Sequence, residues 1–541
     1  MISSVRIPSD KSSDNSLNLF PPLAIFYIAS FVCEMVEKWK HPGFTWGFVI
    51  LASLCVVTGI NRLKFFLFLT ASTAYILLFR FPEVANHVNF LLVLNLTLMA
   101  GLLGSWWQRL SAADYARRML PFLQWALVLV YVITGFHKLN QDFFHREVSC
   151  AGDLIYDFIP MLRATTLGVP TALILIGAVG FLIHRLTGNP LKRLPRSQQF
   201  GVVMVISLSL ALLVGTYLTL EGRFPPLLKT MIIFPLAAGV IAWELVGGCL
   251  LLLPRWQKFV LALSFTMHAA LALIGFVDFG SLAFTLLWAF IPPNYLRLLQ
   301  QPVRLKGGMK GKEYALSRPL AYYLIVLFGG FLAGIHYRIW PVFGHMNFLH
   351  GMILNVAAVV FFWPVLTRLF SNQRLPWPGV EIVNRRQLAT GQAVFVLFLL
   401  FYGMTPYLGL RTAGNFSMFS NLRTEGAVSN HLLLRSNPLK IWGYQEDIVS
   451  VLEIDDEAAK VGHKYRPLKG QALPTVEFRK LVRKWAAANY TVPITFVHNG
   501  VTYTSQDIVN DATWQTPLQT WEMYLMDFRV IQPTGPNQCR W

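Results

Sequence analysis

Residues 119–150, MLPFLQWALVLVYVITGFHKLNQDFFHREVSC, decide the fold class of this chain. The stretch begins as an apolar segment long enough to cross a bilayer and ends abruptly at His137–Lys138. A lysine at such a place has two interpretations. It is either an anchor whose ammonium reaches the interface, or a partly desolvated side chain whose neutral amine can act as a base. Which interpretation of Lys138 is correct depends on the polar residues in the other apolar segments.

Composition places the chain among membrane proteins. Of its 541 residues, 55% are hydrophobic and only 13% are charged, and the mean hydropathy is +0.49. Apolar runs of about 20 residues, the length that spans hydrocarbon, recur through the first three quarters of the sequence. The net charge of +19 does not indicate a nucleic-acid partner, because the excess lies in short loops between these runs.

We predict about 13 transmembrane helices from these apolar runs. They are expected at 21–39, 44–61, 66–81, 90–107, 119–137, 165–184, 200–220, 231–254, 259–276, 279–293, 319–337, 352–370 and 387–410. The first run contains two charged residues, Glu34 and Glu37. The runs 259–276 and 279–293 also fit one long bent helix, because only Val277 and Asp278 separate them.

Positive charge alternates from one predicted loop to the next. The loop at 297–318 carries six Lys and Arg residues, whereas the loop at 339–351 carries none. Basic loops usually face the cytoplasm. We therefore expect a multi-pass protein with a cytoplasmic N-terminus and with residues 411–541 outside the cytoplasm, in a periplasm or a lumen.

From residue 411 the composition changes, and 14 Lys and Arg nearly balance 12 Asp and Glu. Residues 494–504, ITFVHNGVTYT, predict two strands around an Asn-Gly turn. Residues 475–489 predict an amphipathic helix with Thr475 as a candidate N-cap. These patterns indicate a small α+β domain.

The predicted fold class is therefore an all-α polytopic membrane protein with a small C-terminal extracytoplasmic α+β domain. Residues 1–20 form a polar tail, residues 21–410 the transmembrane domain, and residues 411–541 the extracytoplasmic domain.

The chain has five cysteines. Three of them, at 33, 55 and 249, fall within predicted helices and are most simply buried thiols. Cys150 and Cys539 both fall on the predicted outer side, where oxidising conditions allow disulfides. From the residues alone, they are either a disulfide that ties the C-terminal domain to a membrane-side loop or two free thiols. The cysteines and histidines have no zinc-like spacing, and no metal is predicted.

Several polar residues lie inside or at the ends of apolar segments, where each is costly without a partner or a purpose. Asn86–His87 opens the fourth segment, Lys138 ends the fifth, and Glu244 and His268 lie within later ones. Singly, each fits an interfacial cap or a hydrogen bond between helices. Together they predict an outward-opening site in which Lys138 removes a proton and the imidazoles orient a substrate oxygen.

Four segments of the chain are similar to segments of one family in the same order. They are ANHVNFLLVLNLTLM at 85–99, VYVITGFHKLNQDF at 130–143, WELVGGCLLLL at 243–253 and MHAALALIGFVDFGSLAFTLLWAFIPP at 267–293. In this set the chain resembles the vitamin K-dependent γ-carboxylases and the wider horizontally transferred transmembrane (HTTM) domain proteins.

The resemblance implies a lipophilic cofactor, a vitamin K hydroquinone-like quinol, and a catalytic role for Lys138 as the base that deprotonates it. It places the family's Asn–His pair on Asn86 and His87 and its later helix histidine on His268. It implies addition of oxygen to the quinol and carboxylation of a substrate glutamate on a peptide or protein at the outer face. It also favours the Cys150–Cys539 disulfide, since the family has a comparable tether.

The chain departs from the family pattern at several points. The first lysine of the family's lysine pair is His137 here. We expect His137 and Glu244 to contribute to cofactor binding. The family's acidic segment at the start of the outer domain is replaced by residues 407–434, YLGLRTAGNFSMFSNLRTEGAVSNHLLL. This polar stretch either covers the site from outside or only tethers the domain.

Three functional hypotheses follow. The first is a membrane enzyme of γ-carboxylase or quinol-epoxidase type, acting on a quinol or related membrane lipid. The second is a non-catalytic lipid-binding scaffold whose outer domain recruits a partner. The third is a transporter, which has the weakest support because no matching pair of Gly/Pro-broken helices is present. A scaffold has no need for a lysine among histidines, which favours the enzyme.

Overall fold

The computed structural model describes most of the chain. The described residues are 18–37, 42–81, 85–152, 226–273, 275–306, 313–339, 346–370, 380, 390–436, 439–454 and 468–539. The predicted spans at 165–184 and 200–220 lie outside them.

Apolar helices make up most of the described part of the chain before residue 411. They are α1 (Phe20–Glu37), α2 (Pro42–Val57), α3 (Arg62–Tyr75), α4 (Asn86–Trp107), α5 (Ala112–His137), α6 (Pro226–Ile241), α7 (Pro254–Leu273), α8 (Val277–Trp288), α9 (Pro293–Leu299), α10 (Arg318–Ile339), α11 (Met346–Phe370) and α12 (Thr390–Met404). Two of them continue as π-helical turns, α3 into Ile76–Arg80 and α6 into Ala242–Gly247.

Four helices among the described residues are long and apolar enough to cross a membrane. They are Arg62–Arg80, Asn86–Trp107, Ala112–His137 and Ile233–Leu250. Six further apolar helices have shorter described spans. The described chain is thus mostly helical and has membrane-length helices, but it does not support the count of about 13 spans.

One helix begins earlier than the sequence predicts, and one pair of predicted segments is shown to form two helices. Helix α5 begins at Ala112, seven residues before the predicted start, because Ser111 acts as N-cap and accepts a hydrogen bond from the Asp114 N–H at 3.1 Å. The segments around Val277 form two separate helices, with Gly275 in a left-handed conformation (φ 111°) between them.

The C-terminal domain contains a four-stranded antiparallel sheet and a covering helix. Strands β3 (Ile448–Ile454), β4 (Ala472–Pro474), β5 (Ile494–His498) and β6 (Val501–Ser505) lie in the order β4-β3-β5-β6, and a separate hairpin, β1 (Val303–Lys306) with β2 (Glu313–Leu316), lies earlier in the chain. The predicted Asn-Gly hairpin is confirmed. Asn499 and Gly500 both have positive φ between β5 and β6.

The amphipathic helix α13 (Thr475–Ala487) is also present, and a short helix α14 (Thr520–Leu525) follows the sheet. Thr475 is the first helical residue and not the N-cap, which is Pro474 with an extended backbone. The apolar face of α13 packs Phe478, Leu481 and Trp485 against the sheet in the core of the C-terminal domain.

The C-terminal domain is joined to the helices by the predicted disulfide and by hydrogen bonds. Cys150 and Cys539 are bonded to each other. Asn421 lies beside them, where its side chain accepts from the Cys150 N–H at 2.8 Å and donates to the Val148 and Asn537 carbonyls at 2.6 and 3.0 Å. This junction fixes the end of the chain next to the loop that follows α5.

Candidate functional site

The C-terminal end of α5 positions Lys138. Lys138 caps the helix, with its N–H 3.2 Å from the carbonyls of Thr134 and Gly135. The chain then turns away, and Asn140 donates its side-chain amide to the His137 carbonyl at 2.9 Å. Tyr131, Thr134 and Lys138 are spaced three and four residues apart, which places them on one face of the helix.

The Lys138 side chain is buried and paired with Glu244. Its Nζ atom donates to both carboxylate oxygens, Oε1 at 3.0 Å and Oε2 at 2.8 Å. The two side chains are only 6% and 11% exposed. Lys138 is therefore not a solvated anchor, because its ammonium reaches a carboxylate inside the helix bundle.

Gly135 explains how Glu244 comes so close to α5. A Cβ atom at Gly135 would lie 2.7 Å from the Leu245 nitrogen and 3.0 Å from the Glu244 Cβ. The π-helical turn Ala242–Gly247, which carries Glu244, therefore packs directly on the glycine. Such turns are frequent at functional sites.

Tyr131 and His268 form a second hydrogen-bonded unit beside this pair. The Tyr131 hydroxyl lies 2.7 Å from His268 Nε2, and the two rings stack with centroids 5.8 Å apart. The Trp243 ring packs beside both, with its centroid 4.6 Å from that of Tyr131 and 5.8 Å from that of His268. The centroid of the Phe279 ring lies 5.2 Å from that of His268. His268 Nδ1 is buried and has no hydrogen-bond partner among the described residues. We call Tyr131, Lys138, Glu244 and His268 the lysine site.

His87 has different partners from those expected. Its Nε2 atom lies 2.9 Å from Glu34 Oε2 and 2.9 Å from Asp278 Oδ2. Glu34 also pairs with Arg80 through Oε1, at 2.8 Å from Nη1. We call Glu34, Arg80, His87 and Asp278 the histidine cluster. All four side chains are 10% exposed or less.

The other two predicted site residues lie outside both groups. Asn86 is the first residue of α4, and its Oδ1 atom is buried without a hydrogen-bond partner among the described residues. His137 is buried, and its Nδ1 atom lies 2.9 Å from the Tyr407 hydroxyl. Among the described residues, the His137 side chain makes no hydrogen bond with Lys138 or Glu244.

Residues 407–434 pack against the end of α5, directly after Lys138. His431 Nε2 lies 3.0 Å from the Phe136 carbonyl, and the Leu432 N–H donates to the Leu139 carbonyl at 2.8 Å. His431 Nδ1 accepts from the N–H groups of Leu433 and Leu434, both at 3.2 Å. Burial lowers the pKa of His431, so the neutral ring that makes these contacts is favoured.

Sequence reasoning missed three residues of these groups. The apolar pattern places Tyr131 and Arg80 inside predicted helices and Asp278 between two of them, and it gives none of the three a role. The available signal was the presence of Glu34 and Asp278 in apolar surroundings, which requires a nearby positive charge or a ligand.

Comparison with known proteins adds no identification. No family model, no curated protein and no solved structure matches the chain.

Proposed function

We propose that this chain is an integral membrane enzyme that acts on a lipophilic quinol or a related lipid, with Lys138 removing the first proton. The observation that carries the proposal is the buried Lys138–Glu244 pair beside the Tyr131–His268 unit. The resemblance to the γ-carboxylases and HTTM proteins supports it, since it assigns the base to the same lysine.

Stability alone is a weak reason to bury such a pair. Desolvation costs several kcal/mol per ion, and apolar replacements of buried pairs are often neutral or stabilising. A lysine and a glutamate held at 2.8 Å in a low dielectric can instead exchange a proton and become an amine and a carboxylic acid. The neutral Lys138 amine can then accept a proton from a substrate hydroxyl. In that step the substrate O–H bond breaks, an N–H bond forms at Nζ, and the new ammonium lies beside the substrate anion.

The residues around the pair fit a quinol ring. Tyr131, Trp243 and Phe279 offer aromatic surfaces to a planar ring, and aromatic pairs favour stacked or edge-to-face contacts. The unpartnered His268 Nδ1 offers a hydrogen bond to a ring hydroxyl. The Tyr131 hydroxyl, bonded to His268 Nε2, holds the imidazole in place so that Nδ1 keeps its direction.

We further propose that the lysine site lies towards the outer side of a multi-pass protein, with residues 411–541 extracytoplasmic. The alternation of basic loops supports this orientation. The disulfide supports it as well, because such bonds persist in oxidising compartments. A peptide or protein substrate would approach from that side, where residues 407–434 pack on the end of α5. Coupled carboxylation of glutamate is implied only by the family resemblance.

The proposal is tested with full-length protein in lipid nanodiscs supplied with a reduced, isoprenoid-tailed naphthoquinone and oxygen. Chromatography of the product measures the rate of quinol oxidation. We expect this rate to exceed the spontaneous rate without protein. Lys138→Ala should reduce the enzymatic rate by about 100-fold or more, the usual size of a lost general base. Lys258→Ala, which removes an exposed lysine, is the matched control and should be unaffected.

If the Lys138→Ala protein is folded and turns over quinol as fast as the Lys258→Ala protein, the catalytic role is wrong. The lipid-binding scaffold then becomes the better account.

A further inference from the structure

We infer that the histidine cluster is a binding site for one divalent transition-metal ion, held by Glu34, His87 and Asp278. The three side chains come from α1, α4 and α8, and one potential ligand atom of each lies within 4.8 Å of those of the other two. The site is distinct from the lysine site, and its assignment does not depend on the proposed reaction.

The first argument is the number of hydrogens. An imidazole nitrogen carries at most one hydrogen, so the Nε2 atom of His87 cannot donate a full hydrogen bond to two carboxylates. It nevertheless lies 2.9 Å from both Glu34 Oε2 and Asp278 Oδ2. A metal ion between the three atoms satisfies all of them at once, with the imidazole nitrogen and both oxygens acting as lone-pair donors.

The second argument is spacing. Nitrogen and oxygen ligands lie about 2.1 Å from first-row divalent ions, so neighbouring ligands are about 3.0 Å apart at the right angles of an octahedral site and about 3.4 Å apart in a tetrahedral one. The two observed nitrogen–oxygen separations, both 2.9 Å, match the octahedral spacing.

The third argument is the orientation of the carboxylates, because ligating carboxylates are usually held by a second partner. Glu34 faces Arg80 with Oε1 and His87 with Oε2. Asp278 accepts from the Phe279 N–H with Oδ1, at 2.6 Å, and faces His87 with Oδ2. Each carboxylate is thus fixed by one oxygen and directs the other towards the same point.

A fourth helix offers a further nitrogen. His350 of α11 is 4% exposed, and its Nε2 atom has no hydrogen-bond partner among the described residues. It lies close enough to Asp278 to interact with its charge. This buried imidazole nitrogen, close to Asp278 and without a hydrogen-bond partner among the described residues, is a candidate fourth ligand.

The ligand set indicates the class of metal. Imidazole nitrogen favours zinc, iron, copper and nickel, whereas sites made only of oxygen favour magnesium and calcium. One imidazole with two carboxylates therefore fits a first-row divalent ion such as Zn²⁺, Fe²⁺ or Mn²⁺. The two carboxylates balance its charge, and Arg80 remains as a cation beside Glu34.

The competing account contains no metal. In it, His87 is an imidazolium, and the positive charges of His87 and Arg80 balance those of Glu34 and Asp278. The two accounts differ in metal content, which can be measured without any assay of activity.

The experiment measures metal by mass spectrometry in purified, tag-free, full-length protein, before and after chelation. The stripped protein is then titrated with Zn²⁺ and Mn²⁺ in competition with a fluorescent chelator. We expect about one ion per chain, either bound at purification or restored by titration. His87→Ala and Asp278→Asn should weaken binding at least 100-fold, and Arg80→Gln about 10- to 100-fold, as for a residue that orients a ligand.

Lys258→Ala is the matched control, and size-exclusion profiles with thermal unfolding establish that each variant is folded. Added metal should raise the unfolding temperature of the wild type and of Lys258→Ala but not of His87→Ala. If folded wild-type protein neither contains nor takes up metal above the level of His87→Ala, the inference is wrong and the cluster is an ion-pair network.

Discussion

The lysine site and the histidine cluster both bury charge among apolar helices, but they do so differently. In the lysine site one cation meets one anion, and the Nδ1 atom of the neighbouring His268 lies among aromatic rings without a hydrogen-bond partner among the described residues. In the histidine cluster two carboxylates converge on one imidazole. The second oxygen of each carboxylate has its own partner, Arg80 for Glu34 and the Phe279 N–H for Asp278. The first arrangement suits the proton transfer proposed above. The second is suited to holding an ion in place.

The largest expected effect comes from breaking the charge balance of the lysine site. Glu244→Leu leaves the buried Lys138 ammonium unpaired, which should cost about 3–5 kcal/mol of stability. The double variant Lys138→Met/Glu244→Leu should recover most of that loss, because no buried charge remains. Thermal unfolding in detergent measures both. If Glu244→Leu unfolds at the wild-type temperature, Lys138 and Glu244 are not a buried pair.

The second effect concerns the disulfide that ties the C-terminal domain to the loop after α5. A protease site inserted at the exposed residues 427–428 should leave the two fragments joined on a non-reducing gel and separate them under reduction. Cys539→Ser should separate them in both gels, and its loss of stability should be about 2–5 kcal/mol. Fragments of the wild type that separate without reductant would show that the bond does not form.

The third effect tests why Glu244 reaches Lys138. Gly135→Ala should cost about 1–3 kcal/mol through overpacking, since its Cβ would meet the Leu245 backbone at 2.7 Å. It should also lower quinol oxidation by displacing Glu244. Gly239→Ala is the matched control on α6, where a Cβ meets nothing within 4 Å. The control should be neutral or slightly stabilising, because alanine favours helix. Equal destabilisation by both variants would contradict the close approach at Gly135.

The smallest effect is a pH dependence at the junction beside the lysine site. The pKa of His431 is lowered in the folded protein, so the unfolded state binds more protons in the range between that pKa and the ordinary value of 6.5. The free energy of unfolding should therefore rise with pH through this range, and the contribution of His431 should be fully present above about pH 6.5. Hydrogen exchange of the Leu433 and Leu434 amides at pH 5.5 and 7.5, corrected for intrinsic rates, measures this pH dependence. His431→Gln should remove the dependence, and a variant that keeps it unchanged would assign the effect to another group.

Much of the helical fold was accessible from the sequence, because runs of apolar residues of bilayer length have few other solutions. The Asn499–Gly500 hairpin was accessible for a similar reason, since its turn needs two residues of positive φ. The apolar pattern predicts the start of α5 too late, because Arg117 and Arg118 interrupt that pattern, whereas the helix begins before them at the Ser111 cap. The count of spans stays a prediction.

The partners within the site could not be predicted from single residues. Lys138 and Glu244 are joined because Gly135 lets two helices approach, and that contact depends on packing between segments far apart in the chain. The contacts of His87 with Glu34 and Asp278 likewise depend on packing between helices far apart in the chain. The apolar pattern gives each helix a length but does not say which faces meet. Sequence reasoning therefore grouped His87 with Lys138, whereas the structure places them with different partners.

The central claim, that Lys138 is a base for a quinol, is tested most directly without oxygen. A tailed naphthohydroquinone is added anaerobically to protein in nanodiscs, and the absorption of the bound molecule is recorded against that of its free neutral and anionic forms. We expect the wild type and Lys258→Ala to show the anion at a pH at which the free quinol is neutral, and Lys138→Ala to show only the neutral form. Wild-type protein that binds the quinol and leaves it neutral, or an anion that persists in folded Lys138→Ala, would contradict the account.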